Sequence, residues 1–464
     1  MKNNSQQTRY SWLWLALSTV LLIFSNGRWM FPLASWLAFP LLLRFTRLQK
    51  PLIGYLLAVS AIAISSCVAW YGVVPFLPIW VLVIPQTIFA IFIALAYLAD
   101  RLAAKRVGDV LSTLIFPAAM TVIGYVLSFA PGNGTWGALA YTQYGILPLM
   151  QLVSITGIYG LVFLICWFAS VVNFCWENGF VPAKIRKVAG VYMCVLLAVL
   201  VYGGIRLLVI SPDDSLVRVA AVKTPSDIPS RGTSWRISGI SPFHLQESLA
   251  ILESQTAKAA DAGAKIIAWQ EYADLISDQD KDAYIQRGQK IAAEKKIYLL
   301  LGPAILDSRK KVKGENTSIL IDPAGTIKWT YLKSHLVEVV EKPYFQPGNK
   351  KIPRHDTPYG TMASVICFDF SFPAYVRSAG RGISLMIVPS FDWKEITPLH
   401  AHMAVFRGIE NGFSVLRPTG NGLSIAADAC GRVIASQNSF TSKDTVMLTD
   451  LSVKSVFTVY SVIG

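Results

Sequence analysis

The chain has 464 residues, of which 53% are hydrophobic and only 15% charged, with a formal net charge of +14. An ordinary soluble domain is roughly 25% charged, so the whole chain is not one soluble globule. Residues 1–210 carry 13 Lys+Arg and 3 Asp+Glu, whereas residues 211–464 carry 29 and 25. The expected organisation is therefore a transmembrane helical domain over 1–210 and a soluble-type domain over 211–464. Most of the basic excess lies in loops flanking apolar helices. No motif-bearing basic face points to a nucleic acid, and none is expected as a partner.

In chain order, apolar runs fall at about 11–25, 29–43, 52–74, 76–99, 111–129, 153–176 and 188–209. Most reach the roughly 20 residues that a spanning helix needs, which gives about seven spans. The first two are short, and Pro32 and Pro40 interrupt the second; a hairpin that does not fully cross would leave five spans and the same parity. Lys2, Arg9, Arg44, Arg47, Lys50, Arg101, Lys105, Arg106, Lys184, Arg186 and Lys187 all fall on one side, and the opposite loops contain only Arg28. Because Lys and Arg are retained in the cytoplasm, everything after Ile210 is expected outside it. Ser25-Asn26-Gly27-Arg28-Trp29 offers no small-x-small cleavage site, so a signal peptide is not expected. With no Asp, Glu or His in mid-span, the helices do not read as an ion pump.

From Leu216 the pattern becomes alternating strands and helices, as in an α/β fold. The strand candidates are Leu216–Val222, Lys265–Trp269, Ile297–Gly302, Thr317–Ile321, Met362–Cys367, Ser384–Val388, Ser414–Arg417 and Leu423–Ala427. Helices are expected at about 243–262, 278–295, 373–380 and 398–412. The turn Asp322-Pro323-Ala324-Gly325 predicts a hairpin from the fourth strand into Thr326–Leu332.

Three reactive side chains stand at strand ends, where sites assemble in such folds. Glu271 follows the strand ending at Trp269, Lys333 follows Leu332, and Cys367 ends the strand Met362–Ile366. A thiol nucleophile needs a base, and the oxyanion it creates needs a positive or N–H donor. Taken singly, each has a plainer reading: a cysteine at a strand end is a small buried hydrophobe, and Glu and Lys are solvated surface charges. Spacing alone does not join the three. No Cys or His spacing reads as a metal site or disulfide framework, His400 and His402 lying two apart rather than four, so neither metal nor cofactor is expected.

The motifs in order do join them. Val217-Arg218-Val219-Ala220-Ala221-Val222, Trp269-Gln270-Glu271, Tyr331-Leu332-Lys333-Ser334-His335-Leu336, Ile366-Cys367-Phe368-Asp369 with Phe372-Pro373, and the stretch from Arg407 to Arg417 resemble the nitrilase, or carbon-nitrogen hydrolase, superfamily. With the membrane half in front, the chain resembles its membrane branch, the apolipoprotein N-acyltransferases of the bacterial inner membrane. The resemblance implies a nitrilase-like αββα sandwich held extracytoplasmically by the membrane helices. It also implies Glu271 as general base, Lys333 and the Phe368 N–H as oxyanion donors, Cys367 as nucleophile, and Glu341 and Asp369 as supporting residues. Glu341 beside Lys342 reads equally as a surface ion pair. The implied partners are a phospholipid acyl donor, an apolipoprotein acyl acceptor and membrane lipid, joined through a Cys thioester.

The chain departs from the family pattern at several points. Gln270 stands where proline precedes the base, Val339-Val340 replaces Pro-Phe-Gly, Asp369 is one methylene shorter than the usual Glu, and Gly420-Asn421-Gly422 replaces Asn-Thr-Gly. The family's last membrane helix is not seen before Gly464. Within the loop His335–Gln346, the apolar set Leu336, Val337, Val339, Val340, Tyr344 and Phe345 either dips into lipid or packs on the protein's own core. Two other functions use the same residues differently: a membrane-tethered amidase with water as acceptor, and a silent scaffold.

Overall fold

The structure is a computed structural model. It describes the chain except residues 1, 75–77, 131, 214, 225–241, 310–311 and 339, and except the side chains of 2–9, 105 and 242–247. The chain divides into two compact units, Met1–Leu208 and Val209–Gly464.

In the first unit, five helices among the described residues are long and apolar enough to cross a membrane: Pro51–Trp70, Ile79–Ala103, Asp109–Leu127, Val153–Glu177 and Pro182–Val209. The two preceding helices are shorter in apolar length. The first is apolar over Tyr10–Ile23, and the second, Pro32–Leu48, has 17 residues with Arg44 and Arg47 in its last turns. At about 1.5 Å per residue the 17 residues of the second fall short of a hydrocarbon core about 30 Å thick. The two helices pack against each other as a hairpin. Among the described residues, five of the about seven expected spans meet this measure.

Ion pairs gather the C-terminal ends of three helices. Arg47 forks onto Asp100 at 2.7 and 2.8 Å and approaches Glu177 at 3.4 Å, and Arg44 lies 3.8 Å from the same Glu177. Pairing of this kind is how charges at the edge of an apolar medium are tolerated. It also places the ends of alternate helices on one side of the unit, as the loop charges require.

The second unit contains strands β1 (Leu216–Val222), β2 (Ile266–Trp269), β3 (Leu275–Ser277), β4 (Tyr298–Leu301), β5 (Ala304–Leu306), β6 (Glu315–Ile321), β7 (Ile327–Leu332), β8 (Arg354–Thr357), β9 (Gly360–Ser364), β10 (Ile383–Ile387), β11 (Ser390–Phe391), β12 (Ser414–Arg417), β13 (Thr419–Gly420), β14 (Leu423–Ala427), β15 (Val433–Asn438) and β16 (Val446–Ser452). One sheet runs β16-β1-β2-β4-β6-β5-β3, with β7 on β6. A second runs β15-β14-β12-β10-β9-β8, and β11 pairs with β13. The β6–β7 hairpin turns at Gly325, as expected.

Period-two side-chain alternation builds the layers. Along β1, Val217, Val219 and Ala221 face the core between the sheets, where they meet Met362, Leu385, Ile387 and Leu416 of the second sheet. Ala220 and Val222 face the other way, into a layer with Leu249 and Leu252 of the helix Pro242–Asp261 and Ile291 of the helix Lys281–Lys295. Beyond the second sheet, Ala363, Met386 and Val415 pack against Val376 and Ala404 of two further helices. The result is the expected αββα sandwich. The strands that hydropathy missed are either two or three residues long, like β3, β5, β11 and β13, or carry exposed polar positions, like β8 and β15.

β1, β2 and β4 run parallel, as do β9, β10 and β12, so their carboxyl ends collect in one region of each sheet. Gly302 just beyond β4 makes the turn there possible. A Cβ at Gly302 would lie 2.1 Å from the carbonyl oxygen of Gln270, a backbone atom that cannot swing aside. Gly302→Ala is therefore expected to cost about 1–3 kcal/mol through overpacking, read as a lower melting temperature of the detergent-solubilised protein.

Candidate active site

Glu271 leaves the carboxyl end of β2, Lys333 follows β7, and Cys367 lies three residues beyond β9. The strand ends at Ser364, not at the cysteine. The reason is Asp369, whose carboxylate accepts the Ile366 N–H at 3.2 Å and turns the chain into a tight helix, Cys367–Ser371. Cys367 has φ +47°, and Tyr272 beside Glu271 has φ +54°. Left-handed backbone at a non-glycine residue costs roughly 1–3 kcal/mol and persists only where the surroundings impose it. Both strained residues border the same site.

Lys333 is the centre of that site. Its Nζ donates to Glu271 Oε1 at 2.8 Å and to Glu341 Oε1 at 2.7 Å. All three residues are at most 2% exposed. Asn316 Nδ2 donates to Glu271 Oε1 at 2.7 Å and to the Tyr272 hydroxyl at 3.0 Å, and that hydroxyl donates to Glu341. Glu341 is thus a buried partner of the lysine. Lys342 pairs instead with Glu338, at 2.8 Å. The loop that carries Glu341 packs largely on the protein itself, with Leu336 and Phe345 against Ala304 and Tyr272 while Tyr344 is exposed. Val339 lies outside the described residues.

Burial opposes the charge on Lys333, but Glu271 and Glu341 outweigh it and hold the amine well above its ordinary value. Burial, only partly offset by Lys333 and reinforced by Glu341, pushes Glu271 up to about 7. One carboxylate of two around a single ammonium is thereby poised to exchange a proton near neutrality. The Cys367 thiol is raised well above its ordinary value by burial and by the neighbouring Glu271 charge, against the pull of Lys333. It is not a standing thiolate.

The Phe391 backbone links Glu271 and the sulfur. Its N–H donates to Glu271 Oε2 at 2.8 Å, and its carbonyl accepts from Cys367 Sγ at 3.9 Å. Asp369 links lysine and sulfur. Besides Ile366 N–H it accepts the Ser334 and His335 N–H groups at 3.1 and 2.7 Å and the Tyr331 hydroxyl at 2.6 Å. The shorter acid at this position reaches its donors because the Lys333 loop comes to it. Around Cys367, the Cys367 N–H goes to the Pro389 carbonyl and the Asp369 N–H to the Ile366 carbonyl.

Residues 218–457 match the family model for carbon-nitrogen hydrolase, and residues 18–171 match that for the apolipoprotein N-acyltransferase N-terminal domain. An apolipoprotein N-acyltransferase from Geobacter metallireducens is 30% identical over 92% of this chain and 86% of its own length. One from Rickettsia typhi is 24% identical over 76% of this chain and 74% of its own. The chain belongs to the apolipoprotein N-acyltransferase family. Among solved structures, an amidase from Nesterenkonia sp. aligns with 53% of this chain and 92% of its own, at 21% identity and a TM-score of 0.43.

Within the family pattern, the unusual Gln270 donates to Thr224 Oγ1 at 2.9 Å, and its side chain lies against Gly420, where a Cβ would come within 2.7 Å. Gln270 and the altered Gly420-Asn421-Gly422 segment are therefore packed on one another. Reading the sequence did not assign roles to Asn316, Tyr272, Tyr331, Asp392 or Arg417. Asn316 sits inside a strand that reads as apolar core, and nothing in its spacing marks it. Replacing Asp369 by Ala removes the acceptor of three backbone N–H groups and leaves them buried. We expect a loss of about 3 kcal/mol in stability, measured by thermal unfolding, together with loosening of the Lys333 loop, measured by faster amide hydrogen exchange at Ser334 and His335.

Proposed function

We propose that this member of the family works by two-step acyl transfer through Cys367, with Glu271 as general base and Lys333 as oxyanion donor. The enzyme is an acyltransferase of lipoprotein N-acylation and a multi-pass membrane protein, as its family is. The reading adds a phospholipid as donor, a Cys367 thioester as intermediate, and placement in the bacterial inner membrane with the catalytic domain on the periplasmic side.

In the first step Glu271 takes the thiol proton as the sulfur attacks the ester carbonyl. The tetrahedral oxyanion is met by Lys333 and by the Phe368 N–H, whose neighbours in the turn are already engaged. When the intermediate collapses, the carbon–oxygen bond breaks and Glu271 returns the proton to the leaving lysophospholipid oxygen. In the second step the α-amine of a diacylglyceryl-cysteine N-terminus attacks the thioester and Glu271 accepts its proton; the carbon–sulfur bond then breaks and Glu271 returns the proton to the sulfur, restoring the thiol. The observation that carries the reading is the Phe391 backbone: its N–H donates to Glu271 and its carbonyl, in the next peptide group, accepts from the Cys367 thiol, so one residue holds both side chains. Because the thiol is held above its ordinary value, a base acting in the attack itself is required.

Incubating the purified protein with phospholipid is expected to give an acyl adduct on intact mass, lost in Cys367→Ser and discharged by a diacylated lipopeptide that gains the same mass. An adduct that lipopeptide never discharges overturns the acceptor. Ammonia release from amides without any adduct points to the amidase chemistry instead.

Glu271 must be ionised to take the proton, and its raised value lies near 7. Adduct formation should therefore rise with pH through about 7 and fall away below it as the carboxyl protonates. Glu271→Gln should lower the rate by about 10²–10⁴ and abolish that limb of the pH profile.

A further inference from the structure

A second cluster of buried ionisable groups lies against the sulfur, and the proposed roles of Glu271, Lys333 and Cys367 leave it unused. Asp392 directly follows Phe391. Its carboxylate receives Arg417 Nη2 at 2.8 and 2.9 Å and lies 2.9 Å from His400 Nδ1, which is itself 2.9 Å from the same guanidinium nitrogen. Arg417 Nη1 is anchored on Thr419 Oγ1 and the Leu423 carbonyl. All three side chains are buried. Cys367 Sγ, one Asp392 oxygen and one His400 nitrogen lie within 4.8 Å of one another.

Resting on the nucleophilic role of Cys367, we propose that Asp392, Arg417 and His400 are positioning residues for that thiol: the Asp392–Arg417 pair sets a balanced charge beside the sulfur, and His400 fills the remaining side as an uncharged wall. Four charged side chains then act on the sulfur from different elements. Glu271 after β2 and Asp392 after β11 are negative; Lys333 after β7 and Arg417 at the end of β12 are positive. The Tyr272 hydroxyl is neutral, and Glu341 stands behind Lys333.

The balance has a purpose in the chemistry. An unopposed Arg417 next to the buried thiol would favour a standing thiolate of low basicity, whose intrinsic nucleophilicity is lower and which leaves the base no proton to take. Asp392 cancels the second cation and leaves Lys333 for the oxyanion. It stays ionised throughout the working range: burial works against its charge, but Arg417 and His400 outweigh burial and hold it down at about 2. Burial and Arg417 lower His400, against the opposite pull of Asp392, so its imidazole is neutral at neutral pH. Asp392 also fixes the peptide group whose carbonyl accepts from Cys367: its own N–H, in that peptide, donates to the Gly420 carbonyl, and its side chain is clamped by Arg417.

The test is the pH dependence of Cys367 alkylation by iodoacetamide in the full-length detergent-solubilised protein, followed on the Cys367 peptide by mass spectrometry. Asp392→Asn keeps the shape, removes the negative charge and leaves Arg417 unopposed. The alkylation midpoint should fall by about one pH unit or more, while acyl transfer to lipopeptide falls at least tenfold. His400→Asn exchanges one neutral group for another and should leave the midpoint in place. His400→Asp adds a negative charge beside Arg417 and should raise it, so the prediction survives even where Asp392→Asn fails to fold. A cluster that only supports the fold would slow alkylation equally at every pH. Midpoints unmoved in both charge variants overturn this proposal. A wild-type protein that forms no acyl adduct on Cys367 overturns the catalytic reading beneath it.

Discussion

A single ammonium placed out of water between two carboxylates governs the catalytic domain. Lys333 is buried with Glu271 and Glu341 on the same Nζ, and a buried charge is tolerated only when its partners are close and their remaining valences filled. Asn316, Tyr272 and the Val337 and Phe391 N–H groups fill those valences. Each comes from a different segment, so the triad forms only when β2, β6, β7 and the loop after β10 have docked. The charge state follows from the same crowding: two carboxylates compete for one cation, and Glu271 is the one whose proton becomes exchangeable near neutrality.

Asp369 extends this constraint to Cys367. By gathering N–H groups from both the Lys333 loop and the Cys367 turn, it makes the lysine and the sulfur parts of one hydrogen-bonded unit. The left-handed backbone at Cys367 and Tyr272 is the strain that this unit imposes, and it falls where the reacting groups must face each other rather than follow regular strand geometry. The Asp392–Arg417 pair repeats the device on the other side of the sulfur.

The membrane unit obeys a different rule. Its charged residues lie at helix ends and pair there, Arg47 with Asp100 and Arg44 with Glu177. Its helix interiors carry the long apolar stretches that spanning requires. The second apolar run is conspicuous in sequence, yet its helix, Pro32–Leu48, is shorter than the five that meet the spanning measure.

Much of the fold was legible because it rests on local periodicity. The contrast in charge between the halves, the alternation in β1, β2 and β4, the turn at Gly325 and the reactive side chains after strand ends are all properties of neighbouring residues. Local pattern also erred where a side-chain carboxylate captured the backbone. Val365 and Ile366 read as a continuation of β9, but Asp369 ends the strand and turns the cysteine. It could not decide whether Glu341 serves Lys333 or Lys342, since both are within reach along the chain and only burial of the loop selects the former. The convergence of Asp392, His400 and Arg417 on Cys367 left no trace in spacing at all. Such contacts are made by the stacking of parallel strand ends from separate parts of the chain. By itself the sequence determined which side chains were available and which segments would be strands or spans; packing of the two sheets decided which charges face the sulfur, because electrostatic partners depend on distance in space and on exclusion of water.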